Sequence, residues 1–103
     1  MAADNAEGPV TLLVTVRVRK EGRATLREEL RKIVTATRQE DGCLIYEVHE
    51  SREEPDRIVF YERWASAAHW TRHQAQDFMA DFAKIATPYL LGEPDTVVLE
   101  PVA

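Results

Sequence analysis

The stretch CLIYEVHES (residues 43–51), REEPD (52–56) and RIVFYERW (57–64) decides how this chain folds. Both flanks are dense in β-branched and aromatic side chains, and the centre is polar and carries Pro55. The segment therefore reads as two antiparallel strands joined by a hairpin loop. Working outward, the pattern turns helical on both sides. Before the hairpin, Leu26, Leu30, Ile33, Val34 and Thr37 recur every three or four positions, with Arg27, Glu28, Arg31 and Lys32 between them. That is a helix with one buried stripe, and Glu28 and Lys32 are spaced for an i,i+4 ion pair. Glu40-Asp41-Gly42 ends it. After the hairpin, Ser66 is a fitting N-cap for a helical region that passes through Trp70 and His73. It continues with Phe78, Met79, Phe82, Ile85 and Ala86 until Pro88 stops it.

The outermost segments are strands. Val10 to Arg19 is rich in valine, leucine and threonine, and places Leu12, Val14, Val16 and Val18 on one face. Val97 to Leu99 lies between Pro94 and Pro101, which suits an edge strand. The order β-α-β-β-α-β is the split βαβ plan of a ferredoxin-like α+β domain, an antiparallel sheet with its helices on one face. Residues 1–9 are small, polar and acidic and form a disordered lead-in; residues 10–103 make the one domain that the length allows, at roughly 100–200 residues per domain. The sheet's second face keeps apolar side chains that nothing in the chain can cover. Such a patch is too large for a monomer, and a second copy packed sheet to sheet across a two-fold axis would remove it. A homodimer is expected.

Composition removes several function classes. The net charge of −5 and the scattered basic residues argue against nucleic-acid binding. No apolar run approaches the ~18 residues of a membrane span. Cys43 is the single cysteine, which rules out an internal disulfide and makes a cytoplasmic location the simplest expectation. It enters an apolar run and reads as a small buried hydrophobe. A glycine-rich phosphate loop, a GxSxG elbow and a CxxC pair are all missing, so flavin, nicotinamide and ATP have no visible anchor. His69 and His73 stand four apart but lack the third ligand and the intervening Glu of a zinc site, so neither metal nor cofactor is expected.

The candidate site follows from the hairpin register, which has two parities. Setting His49 opposite Phe60, Glu47 opposite Glu62 and Ile45 opposite Trp64 collects His49, Phe60, Glu62 and Trp64 on one face, beneath the helix that carries Trp70. Leu44, Tyr46, Val48, Val59 and Tyr61 are then left for a dimer seam. A one-residue slip would exchange partners and faces. The first parity is preferred because it gathers the polar and aromatic groups into one cavity, the common form of a small-molecule site. Glu62, between aromatic neighbours, needs a partner if it is half-buried.

The run from Glu40 through Gly42, Cys43 and Tyr46 to His49, then Phe60-Tyr61-Glu62-Arg63-Trp64, then His73 and Phe78, resembles the antibiotic biosynthesis monooxygenase family. It is most similar to the quinol-monooxygenase-like bacterial members, over roughly Val10 to Leu99. The resemblance implies a dimeric α/β barrel of two ferredoxin-like protomers. It also implies oxygenation of quinol- or anthrone-like aromatics by dioxygen without metal or flavin. The pocket positions of polyketide-oxidising members fall on His49, Phe60, Trp64 and Trp70, though a polar amide in those members is a phenyl ring at Phe60. Positions that hold haem in another branch fall on His73 and Ala83, which disfavours haem breakdown; a further branch isomerises a furanone-type signalling molecule. On this reading His49 is the base, since an unperturbed imidazole pKa of about 6.5 suits proton abstraction near neutrality. Trp64 donates its indole N–H to a substrate oxygen, and Glu62 orients a neighbour or shares the proton. Phe60, Trp70 and His73 bind the ring. The rival expectations are an isomerase and a small-molecule-binding dimer without catalysis.

Overall fold

In the computed structural model, which describes residues 8–103, four strands and three helices follow the order read from the sequence. Strand β1 spans Val10–Arg17, helix α1 Arg23–Thr37, β2 Cys43–Glu50, β3 Arg57–Trp64, helix α2 Ala67–Gln74, α3 Asp77–Ala86 and β4 Asp95–Leu99. Short 3-10 turns at Lys20–Gly22 and Thr87–Tyr89 lead into α1 and out of α3. Most of the lead-in expected over residues 1–9 lies outside the described residues. The sheet order is β2-β3-β1-β4, with every neighbouring pair antiparallel. This is the ferredoxin-like arrangement, and β4, bracketed by prolines, is at an edge. Among the described residues no helix is long and apolar enough to cross a membrane.

Helix α1 buries the stripe Leu26, Leu30, Ile33 and Thr37. Its surface ion pairs close at i,i+3, Lys32 with Glu29 and Arg31 with Glu28, in place of the expected Glu28–Lys32 pair. Ser66 caps α2 as expected, its hydroxyl accepting from the His69 N–H at 3.2 Å. The helical region after it is two helices and not one. Gln76 is extended (φ −67°, ψ 143°) and restarts the helix with Asp77 in the first turn, where a negative charge meets the helix dipole favourably. The break gives α3 its own axis, and Phe78, Met79 and Phe82 pack on the core that Leu12, Ile58, Phe60 and Trp64 build from the sheet. Val18 leaves the β1–β3 ladder for a single bridge to Leu90, so the first strand ends before Arg19.

The hairpin register differs from the preferred one, and one residue explains why. Cys43 pairs with Trp64, but Ile45 pairs with Arg63, which leaves Leu44 as the extra residue of a β-bulge. Beyond it Tyr46 pairs with Glu62, Val48 with Phe60 and His49 with Val59. Had the ladder continued from Cys43 without the bulge, Ile45, Glu47 and His49 would have shared the face of Trp64. The extra residue reverses the parity of everything that follows on β2. The helix-covered face therefore carries Tyr46, Val48, Ile58, Phe60, Glu62 and Trp64. The open face carries Ile45, Glu47, His49, Val59 and Tyr61, joined by Leu13 of β1 and Val97 of β4. The β3 half of each expected face holds; the β2 halves exchange, and Tyr46 is a core residue at 2% exposure, not part of a seam.

Candidate active site

Between the covered sheet face and the helices lies a cavity of about 430 Å³, within the ~300–1,000 Å³ range of small-molecule sites. Val14, Ile58 and Phe60 line it from the sheet, Trp70 from α2, and Met79 and Phe82 from α3. Three titratable groups interrupt the apolar lining: Tyr46, Glu62 and His73. Each is placed by simple geometry. Glu62 is on the inward parity of β3, Tyr46 is its cross-strand partner on β2, and His73 projects from the last turn of α2.

These groups belong to a connected chain. His73 Nδ1 is 2.6 Å from Glu40 Oε2, a contact from α2 to the turn after α1. The His73 ring lies against Trp64, with centroids 4.7 Å apart and planes tilted by 32°, and meets Tyr46 edge-on at 5.5 Å. Trp64, with no exposure, donates its Nε1–H to Glu62 Oε1 at 3.0 Å, the two side chains being i and i+2 neighbours on one strand face. Burial pushes the Glu62 carboxyl above its ordinary range; the Trp64 hydrogen bond and the charge of His73 pull it back, and the charge of Glu40 raises it. Burial likewise pushes the Tyr46 phenol up, so it stays protonated. The Cys43 thiol is raised by its partial burial and by the charges of Glu40 and Glu62, which keeps it a packed thiol, not a thiolate nucleophile.

A protein-family model of the antibiotic biosynthesis monooxygenases matches residues 9–85. The chain belongs to the antibiotic biosynthesis monooxygenase family. It is 28% identical over 94 residues to Rv0793 of Mycobacterium tuberculosis, which carries the provisional name of a monooxygenase, covering 91% of this chain and 92% of that protein. The solved structure of Rv0793 superposes with a TM-score of 0.85 at 27% identity, over 93% of this chain and 97% of that one. PA3566 of Pseudomonas aeruginosa also gives a TM-score of 0.85, at 28% identity over 95% and 98% of the two chains.

Of the six residues that the family resemblance and the register singled out, four line the cavity: Phe60, Glu62, Trp70 and His73. His49 does not. It is on the open face, exposed, with Nε2 3.2 Å from Glu47 Oε1, because the bulge at Leu44 turned it outward. Trp64 is beside the cavity but buried behind its wall, and its N–H is committed to Glu62 and not presented to a ligand. His69 is a capping residue, its Nδ1 2.7 Å from Ser66 Oγ and its Nε2 3.5 Å from Asp41 Oδ2. Among the described residues no group of three or more His, Cys, Asp and Glu side chains is arranged to hold a metal ion. Sequence reasoning missed Glu40, which read as a helix terminator, and Tyr46, which the unbulged register turned away. Neither had a signal in spacing; Glu40 meets its histidine across 33 positions.

Proposed function

We propose that this family member is a cofactor-independent monooxygenase acting on a small, neutral phenolic, quinol or anthrone-like substrate. The observation that carries the proposal is the pair Glu62 and His73 facing one mostly apolar cavity. His73, not His49, takes a proton from the substrate and makes it electron-rich enough to reduce dioxygen. Glu62, whose carboxyl is pushed above its ordinary range by burial, in its protonated form donates a hydrogen bond to the substrate oxygen where charge develops, and otherwise orients a neighbour. Phe60 and Trp70 hold the ring. One oxygen atom enters the product and the other leaves as water with the substrate's two hydrogens, all four electrons that reduce dioxygen coming from the substrate, as in anthrone plus dioxygen giving anthraquinone and water.

The working form is a homodimer in which the open sheet face, with Leu13, Ile45, Val59, Tyr61 and Val97, meets its counterpart across a two-fold axis. Supporting this, the face joins apolar side chains from all four strands, and the chain's own helices lie on the other side.

Oxygen uptake with chelator present, on anthrone and 1,4-dihydroxynaphthalene, tests the activity. Substrate-dependent consumption is expected, falling roughly 10²–10⁴-fold in His73→Ala, the usual contribution of a positioned base, and little changed in His49→Ala. Conversion that continues without oxygen would replace monooxygenation by isomerisation. Ligand-induced stabilisation without any turnover would make the protein a binder.

A further inference from the structure

We infer that Glu40 is the positioning residue of this site: its carboxylate fixes His73, whose ring lines the cavity, with the ring proton on Nδ1 and leaves Nε2 as its lone-pair nitrogen. The tautomer follows from the donor inventory. An ionised carboxylate only accepts hydrogen bonds, so at 2.6 Å from Glu40 Oε2 the Nδ1 atom has to be the donor. A neutral imidazole carries one ring proton, and placing it on Nδ1 makes Nε2 the basic atom. Among the described residues no other side-chain hydrogen bond holds His73. The contact is protected from water, with side-chain exposures of 3% for His73 and 10% for Glu40. A charge-assisted bond in so dry a place is far stronger than one on the surface.

Both ends of the bond are immobilised. The His73 ring is hemmed in by Trp64, Tyr46 and Phe78, which leaves little room for it to turn over. Glu40 is part of a tight turn in which its N–H donates to Thr37 O at 3.0 Å and its carbonyl accepts from Cys43 N at 3.2 Å. Gly42, at φ +82°, completes that turn in the left-handed region, and a Cβ there would run into the His69 ring of α2. Ala65 N, donating to Gly42 O at 2.8 Å, ties the turn to the end of β3. The turn is thus clamped against the helix that carries His73. Once Nε2 takes a proton, the imidazolium formed faces the Glu40 carboxylate, which offsets the cost of creating a charge away from water.

The catalytic consequence rests on the monooxygenase reading; the tautomer does not, and the two are tested separately. Nitrogen NMR of histidine-labelled, ligand-free protein reads the tautomer of neutral His73 directly. The native protein is expected to show Nδ1–H with Nε2 unprotonated, and Glu40→Gln to shift the ring toward Nε2–H. In anthrone oxidation the same variant is expected to lower kcat by roughly 10²–10⁴-fold while KM moves little, since the apolar walls are intact. An Nε2–H tautomer in the native protein would overturn the inference even if Glu40→Gln failed to fold. So would an unchanged tautomer and unchanged kcat in a folded Glu40→Gln. A native Nδ1–H tautomer that shifts in the variant, with neither protein oxidising anthrone, would uphold the positioning role and sink the monooxygenase reading alone.

Discussion

Replacing Trp64 by Phe separates an internal role for the indole N–H from a substrate-binding one. The substitution leaves Glu62 Oε1 buried without its donor, which costs about 1–3 kcal/mol. It also opens a space at a position with no exposure, next to the His73 ring, for about another 1–2 kcal/mol. The sum, about 2–5 kcal/mol, is a large part of the roughly 5–15 kcal/mol that holds a domain together. At roughly 4 °C or more per kcal/mol for a chain near this length, the Tm should fall by about 8 °C at the least. Urea denaturation with an unchanged m-value measures the energy, and infrared titration of the carboxyl band follows Glu62. That titration should move further up, because the bond that favours the charged form is gone. A loss below about 1 kcal/mol, coupled to a large rise in KM, would refute the reasoning and return the N–H to the substrate.

Two further outcomes follow from the same geometry. In the folded state Glu62 keeps its proton above the ordinary value of 4.5, surrounded by Trp64, His73, Glu40 and Tyr46, so its contribution to stability should fall as pH rises from 4.5 through the folded value and level off above it. Glu62→Gln carries no such proton and should gain stability relative to wild type across that window; a constant difference between the two would show that the carboxyl is not shifted. Leu13→Glu places a charge on the open face between Tyr61 and Val97; if the proposed dimer forms there, light scattering should report about twice the 11.8 kDa chain mass for the wild type and a particle near the chain mass for the variant. A dimeric variant would move the interface elsewhere.

The fold was legible because most elements announce themselves locally: the alternation in β1, the stripe from Leu26 to Thr37, the Ser66 cap and the paired prolines around β4; the break at Gln76 that divides α2 from α3 did not. The site was legible only in part, because it depends on parity. Phe60, Glu62 and Trp64 share a face by their spacing alone, and Trp70 and His73 lie on the following helix by the same local logic. Whether His49 or Tyr46 joins them turns on a bulge at Leu44, and a bulge has no fixed sequence signature when the extra residue is an ordinary leucine. The preference for the unbulged register came from the appeal of collecting polar groups. The structure instead collects Tyr46 and keeps His49 in water, which is cheaper in desolvation. Glu40 was out of reach for a different reason: its partner is 33 residues away and belongs to an element whose docking no local pattern records.

On the proposed function, the charge inventory of the cavity predicts one property of its ligand. The described lining contains Glu62 and His73 but neither lysine nor arginine, and Glu40 stands directly behind His73. When His73 is neutral, as a base has to be, the His73–Glu40 pair carries a net negative charge in a place water hardly reaches. A substrate carboxylate held roughly 6 Å from that charge would be repelled by about 3 kcal/mol at an effective dielectric constant of ~20. That amounts to about a hundredfold in affinity, before any cost of stripping water from the anion. A neutral phenol meets no such penalty and can hand its proton to Nε2. The comparison is therefore 1,4-dihydroxynaphthalene against its 2-carboxylate, which share the ring and both hydroxyls. The carboxylate should show a KM about a hundredfold higher, and the gap should narrow in Glu40→Gln as the repelling charge is removed. Equal KM values for the two compounds would mean that the ring binds with its carboxylate pointing out of the cavity, or that another site does the chemistry.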